Sequence, residues 1–236
     1  MKVFIQKWGI TLYILSLSGH LYGQILGDKF ITLQFVTKAL LLPILILFII
    51  AQDAFVKSPK HKWLIIMALF GSFLGDVLLT YPDFFILGMV AFMTTHVFNI
   101  MMFNKINGIG QPKTKKLIVF TFILSAFCVL IYYKLQAAMG NLIYPILVYM
   151  VLICSAALMA IHAGGTEKAE LISKLFWFPG MLFFICSDTV LAFNKFDWSK
   201  HYPIKNIGLV TMLTYGIAQI LIVKGYQIYL KQQALK

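Results

Sequence analysis

Eight stretches of about 20 predominantly apolar residues run through this chain, at 8–26, 31–51, 62–80, 84–103, 116–136, 141–161, 175–193 and 206–228. Each is long enough to cross the hydrocarbon core of a bilayer as a helix. Inside lipid every backbone N–H and C=O must be paired within the protein, so a spanning structure is either helical or a closed barrel. The stretches are continuously apolar rather than alternating, which argues against a barrel. The expected fold is therefore all-α: a polytopic bundle of eight transmembrane helices. The connections are short, so residues 1–236 are expected to form a single integral-membrane domain.

Composition agrees. Hydrophobic residues make up 61% of the chain and charged residues only 12%, about half the usual share of a soluble domain. The net charge is +12, and every basic residue is lysine. A basic balance can signal nucleic acid, but these lysines sit in the short connections. They are better read as orientation signals, with no nucleic acid partner expected. Placing the N-terminus inside puts Lys2, Lys7, Lys57, Lys60, Lys62, Lys105, Lys113, Lys115, Lys116, Lys168, Lys174, Lys224, Lys231 and Lys236 inside as well. Lys29, Lys134, Lys195, Lys200 and Lys205 then lie outside. The bias predicts a multi-pass protein with both termini in the cytoplasm, in the cell membrane if the source is bacterial. The first apolar run holds His20 and Gln24 and lacks a small-x-small site, so it reads as a retained helix rather than a cleaved signal. Cys128, Cys154 and Cys186 have no zinc or disulfide spacing and read as small packing residues.

Two aspartates sit deep in these runs, in matching surroundings: Gly75-Asp76-Val77-Leu78-Leu79 and Ser187-Asp188-Thr189-Val190-Leu191. A carboxylate at a helix centre costs about 2.5–3.5 kcal/mol on insertion scales, so two of them point to function. The matching segments lie four helices apart, which suggests a parallel 4+4 repeat. On the helix map His20, Lys38, Asp76, Tyr149, Asp188 and Tyr215 fall at similar depth, with His96 nearer the middle. This predicts a polar cavity opening toward the outer leaflet.

Two carboxylates in a low-dielectric pocket do not both ionise readily. One can then donate a proton while the other, as an anion, stabilises positive charge or activates water, which suits an oxocarbenium-like reaction. The bland alternative is a structural pair held by Ser72, Ser187 or a lysine. Lys38 either snorkels or pairs with an aspartate or a lipid phosphate. His96 is either a core histidine or a proton shuttle. Asn194, Tyr215 and Gln219 either bond between helices or line the pocket. Only His20 and His96 among the histidines are intramembrane, and no H-E-x-x-H spacing occurs, so no metal and no cofactor are expected.

The order of these motifs resembles the YhhN family, which includes the transmembrane protein 86 lysoplasmalogenases. Gly75 to Leu79 is similar to its G-D-x-L-L motif, and Ser187 to Phe196 to its S-D-x-x-L-A-x-x-x-F motif. Gly88, Phe92 and His96 match G-x-x-x-F-x-x-x-H, and Tyr215 with Gln219 the closing Tyr-x-x-x-Gln. Asn99 stands where the family often has Tyr, and Ala39 follows Lys38 where Pro is common. The resemblance implies hydrolysis of the vinyl ether bond of a lysophospholipid substrate, a lysoplasmalogen, to a fatty aldehyde and glycerophosphoethanolamine or glycerophosphocholine. It implies Asp76 and Asp188 as catalytic residues. Lys38, His96, Tyr149, Asn194, Tyr215 and Gln219 are the expected substrate-binding set. A proton-coupled transporter or a non-catalytic lipid-binding protein are the competing expectations.

Overall fold

A computed structural model describes residues 1–53, 59–111, 115–196 and 206–234. Lys57, Lys113, Lys200, Lys205 and Lys236, which contribute to the expected orientation, lie outside the described residues, as does His201. The described residues are helical throughout, with no strand among them. The helices are α1 (Lys2–Leu26), α2 (Ile31–Ala51), α3 (Pro59–Leu78), α4 (Phe85–Ile106), α5 (Lys115–Met139), α6 (Ile143–Ala163), α7 (Glu167–Phe196) and α8 (Ile207–Ala234). Among the described residues six stretches are long and apolar enough to cross a membrane; one of them, Lys115–Ala163, contains both α5 and α6, and α1 is not among the six. Those two meet at a turn where Gly140 takes φ +52°, a left-handed conformation that costs glycine little. The protein is a multi-pass membrane protein. Its large apolar side chains on the outside, such as Phe122, Val129, Tyr133 and Val151, face lipid as the burial pattern of a membrane bundle requires.

Neighbouring helices pair along their lengths: α1 with α2, α3 with α4, and α7 with α8, while α6 closes against α4. Small residues set these approaches, as expected where lipid offers no hydrophobic contrast and packing must drive association. A Cβ on Gly216 would lie 2.4 Å from the Leu17 side chain, so this glycine lets α1 lie against α8. There the buried Tyr13 hydroxyl donates to the Gly216 carbonyl at 3.2 Å.

Gly75 matters more, because it precedes Asp76. A Cβ there would meet the Phe92 ring at 2.5 Å. The Phe92 ring in turn packs edge-on against Phe184 and Tyr215, with centroids 5.9 Å away in both cases. Gly75→Ala therefore has to displace a ring that three helices share. The expected cost is about 1–3 kcal/mol, the usual range for overpacking, seen as a lower thermal midpoint of the purified protein in detergent. An unchanged midpoint would show that Phe92 moves freely.

Helix α7 departs from the expected span of 175–193. It starts at Glu167 and contains a π turn at Ser173–Trp177. One extra residue in a turn rotates the remainder of the helix by about 100°, so the turn sets the face on which Asp188 emerges. The Ser173 hydroxyl donates to the Ala160 carbonyl at 2.6 Å, fixing the turn against α6. Away from the aspartates, Tyr226 donates to Asn99 at 2.9 Å, and at the end of α2 Gln227 donates to Gln52 at 3.0 Å. Asn99, the position where the family often has Tyr, thus has a structural partner. Lys2 and Gln6 of α1 bind Asp53 just beyond α2 and hold its exposed carboxyl below the usual carboxylate range.

The Cys128 and Cys154 sulfurs lie 3.3 Å apart between α5 and α6, which sequence separation could not reveal, while Cys186 is exposed.

Candidate active site

Asp76 lies on the last turn of α3 and is buried. Its carboxylate accepts a hydrogen bond from the Tyr215 hydroxyl of α8 at 2.8 Å. Four residues further along α8, Gln219 donates to the Ser72 hydroxyl at 3.0 Å. Thr95 of α4 donates to the Ala68 carbonyl at 3.0 Å, so its oxygen is left to accept from Ser72, 3.1 Å away. Tyr215 and Gln219 are one helical turn apart on the face of α8 that meets α3. The i, i+4 spacing thus places one partner on Asp76 and the other on the residue one turn before it. Lys38 of α2 is half-buried and within electrostatic reach of Asp76.

Asp188, in the last third of α7, accepts from the Tyr149 hydroxyl of α6 in a short hydrogen bond. The hydroxyl has one proton and gives it to Asp188. Its oxygen therefore accepts from the His96 Nε2–H of α4, at 3.2 Å. His96 is fully buried, and its Nδ1 has no partner among the described residues. His96, Tyr149 and Asp188 form a three-member chain of hydrogen bonds drawn from three helices.

The aspartates are held by tyrosines rather than by the neighbouring serines, since Ser187 instead donates to the Thr211 carbonyl at 3.0 Å. A set of edge-packed rings connects the two sites. Tyr215 packs on Phe184 with centroids 5.4 Å apart, Phe184 on His96 at 4.8 Å, and His96 on Tyr149 at 5.5 Å. The carboxylates lie within electrostatic reach of each other.

In place of the expected single polar cavity there are two apolar slots and one separate polar cavity. Asp188 and Tyr149 line two narrow apolar slots of about 60 Å³ each, one walled by Met89, Phe92 and Leu191, the other by Ile131, Cys154 and Ile185. A separate polar cavity of about 610 Å³ opens where α1, α2, α3 and α8 meet, lined by Lys38, His20 and Thr80 among others. Thr80 donates back to the Asp76 carbonyl at 3.0 Å, so this cavity ends one turn from Asp76. None of these three cavities contains both carboxylates. The reason is local: with no Cβ on Gly75, the Phe92 ring packs against the last turn of α3 and on Tyr215 while also walling the slot of Asp188. The G-x-x-x-F-x-x-x-H spacing carried that information, since Gly88, Phe92 and His96 share one face of α4. Asn194 is half-buried near the end of α7 and is not among the residues lining either slot. Sequence reasoning missed Thr95, Phe184 and Tyr13, which carry no signal distinguishing them from other packing residues.

Set beside known proteins, the chain is 29% identical over 166 residues to lysoplasmalogenase TMEM86B of Mus musculus, covering 70% of this chain and 63% of that protein. It is 29% identical over 183 residues to lysoplasmalogenase TMEM86B of Homo sapiens (77% and 70%) and 28% identical over 182 residues to lysoplasmalogenase TMEM86A of Homo sapiens (75% and 70%). The match thus spans less than two thirds of the mouse protein. No solved structure matches the chain. The profile of the YhhN family fits residues 33–226, from the start of α2 to the last part of α8. That stretch holds both aspartates, both tyrosines that bind them, and every helix of the two networks, and by it the chain belongs to the YhhN family.

Proposed function

We propose that this protein is a lysoplasmalogenase-type ether hydrolase that cleaves the vinyl ether of a 1-alkenyl lysophospholipid. The observation that carries the reading is the pair of intramembrane aspartates, each held by a tyrosine from another helix. One opens on an apolar slot and the other lies one turn from a polar cavity. Its lysoplasmalogenase relatives supply the reaction class.

In this reading Asp188 is the acid and Asp76 the anion balanced by Lys38. Asp188 gives its proton to the alkene carbon farther from oxygen, and the electron pair of the double bond takes it up. The neighbouring carbon becomes an oxocarbenium ion, stabilised by the Asp76 carboxylate. Water from the polar cavity adds to that carbon and returns a proton to Asp188. The hemiacetal then collapses: Asp76 takes its hydroxyl proton while Asp188 protonates the departing glycerol oxygen. A proton moves from Asp76 back to Asp188 and resets the site. Net, one water is consumed and a fatty aldehyde and a glycerophospho-alcohol leave. The Phe92 ring has to swing aside for the vinyl ether to lie between the carboxylates. Lys38, His96, Tyr149, Asn194, Tyr215 and Gln219 remain the proposed binding and positioning set.

The same reading makes the chain a single domain of eight spanning helices. The paired packing of α1 with α2 and α3 with α4, echoed by α5 with α6 and α7 with α8, favours the 4+4 repeat. With both termini in the cytoplasm, the polar cavity opens toward the outer leaflet.

The test is aldehyde release by the purified protein. It is expected from a 1-alkenyl lysophospholipid, and not from its 1-alkyl or 1-acyl counterparts, because only the vinyl ether gives an oxocarbenium ion on carbon protonation. Cleavage of the acyl lipid alone, or lipid flux across vesicles without aldehyde, would replace this reading with an esterase or a transporter.

A further inference from the structure

The polar cavity has features that the hydrolysis itself does not use. Its most buried lining group is His20 of α1, 3% exposed. The His20 Nδ1 lies 2.8 Å from the Gln34 carbonyl of α2. A carbonyl only accepts, so Nδ1 carries the proton, and in the neutral ring Nε2 is left as an acceptor. That Nε2 is buried in the cavity wall and has no partner among the described residues. One turn further along α1, Gln24 also lines the cavity, and its Oε1 is likewise buried and has no partner among the described residues.

The first of these acceptors is held in place. The Gln34 side chain donates to the Gly23 and Gly27 carbonyls at 3.0 and 3.2 Å, locking the end of α1 onto α2. The Gln34 backbone meanwhile orients the His20 ring. Lys38, one turn beyond Gln34, is within electrostatic reach of both His20 and Asp76. The order along the wall is thus two unpaired acceptors, then a cation, then the catalytic carboxylate.

Buried acceptors left unpaired are costly, so the wall is complementary to a ligand that brings N–H donors. We propose that this cavity is a headgroup site selective for phosphoethanolamine: the primary ammonium donates to His20 Nε2 and Gln24 Oε1, and the phosphate lies on Lys38. The proposal rests on the hydrolase reading for the identity of the lipid. The ammonium stands at one end of the headgroup and the phosphate between it and the glycerol, which matches the order of acceptors, cation and carboxylate. A choline headgroup has the same charge but no N–H. It would bury both acceptors without satisfying them, and a site built to hydrogen-bond discriminates strongly against an analogue lacking the donor. Choline sites use enclosing aromatic faces, whereas the aromatic rings lining this cavity, Phe35 and Tyr81, are both exposed.

Binding tests the proposal without requiring turnover. Saturated 1-alkyl lysophospholipids with ethanolamine or choline headgroups are titrated against the purified protein, with intrinsic tryptophan fluorescence as the readout. Wild type is expected to bind the ethanolamine lipid about tenfold to a hundredfold more tightly, the range for hydrogen bonds to a charged group. Gln24→Leu and His20→Phe, each checked for an unchanged thermal midpoint, should bring the ratio close to one by weakening the ethanolamine lipid alone. Should His20→Phe misfold, Gln24→Leu, at a half-buried position, decides the matter. Equal affinity of wild type for both lipids, or variants that weaken both equally, overturns the assignment. Aldehyde release from both alkenyl lipids with equal KM and a binding ratio of one would remove the headgroup site and leave the hydrolase reading intact. A preserved binding ratio with no aldehyde from either lipid would do the reverse.

Discussion

Asp188→Asn is expected to lower kcat for the proposed vinyl ether cleavage by about 10²–10⁴-fold, the contribution typical of a general acid, and to leave KM and the thermal midpoint near wild type. The amide has the shape of the carboxyl group, and its oxygen can still accept from Tyr149, so the His96–Tyr149 chain has no reason to come apart. What is lost is the transferable proton. In the proposed reaction carbon protonation is the slow step, so wild type should turn over more slowly in D₂O, and the residual activity of the variant should respond differently. Aldehyde release is the measurement. Activity within tenfold of wild type would mean that Asp188 only holds Tyr149 and His96 in place, and that the proton comes from elsewhere.

The helices and both aspartates were legible in the sequence because the bilayer imposes a length and a polarity that few other environments do. Segment ends were less legible, because helix ends depend on local capping: α1 begins at Lys2 and α8 runs to Ala234, well past the apolar stretches. The π turn was hidden altogether, since Ser173–Trp177 has no composition that separates it from an ordinary helix. Which residues meet was legible only in part. Tyr149 and Tyr215 could be placed at the depth of the aspartates by counting along helices. That Tyr215 holds Asp76 and Tyr149 holds Asp188 depends on how helices far apart in sequence pack. The same holds for Cys128 and Cys154. Depth comes from one helix at a time, whereas rotation about the helix axis comes from its neighbours. The division of the expected cavity arises from that second kind of information, through the contact of Gly75 with Phe92.

Removing the other carboxylate should cost nearly as much, for a different reason. An oxocarbenium ion about 4 Å from the Asp76 carboxylate gains roughly 4 kcal/mol at an effective dielectric constant near 20. Asp76→Asn removes that attraction and leaves Lys38 without its counter-charge, so the cation that had balanced Asp76 now opposes positive charge on the substrate. The expected loss is about 10²–10³-fold in kcat, smaller than the full Coulomb figure because the amide oxygen still presents a partial negative charge. Tyr215 can keep its hydrogen bond to that oxygen, so stability should change little. The mechanism separates the two variants. Because Asp188 still donates the proton, Asp76→Asn keeps the slowing in D₂O that Asp188→Asn alters. Asp76→Asn combined with Lys38→Met removes the unbalanced cation as well, and should recover part of the lost rate. If the double variant is slower than Asp76→Asn by the same factor that Lys38→Met costs alone, the two residues act independently, and Asp76 is not the anion that Lys38 balances.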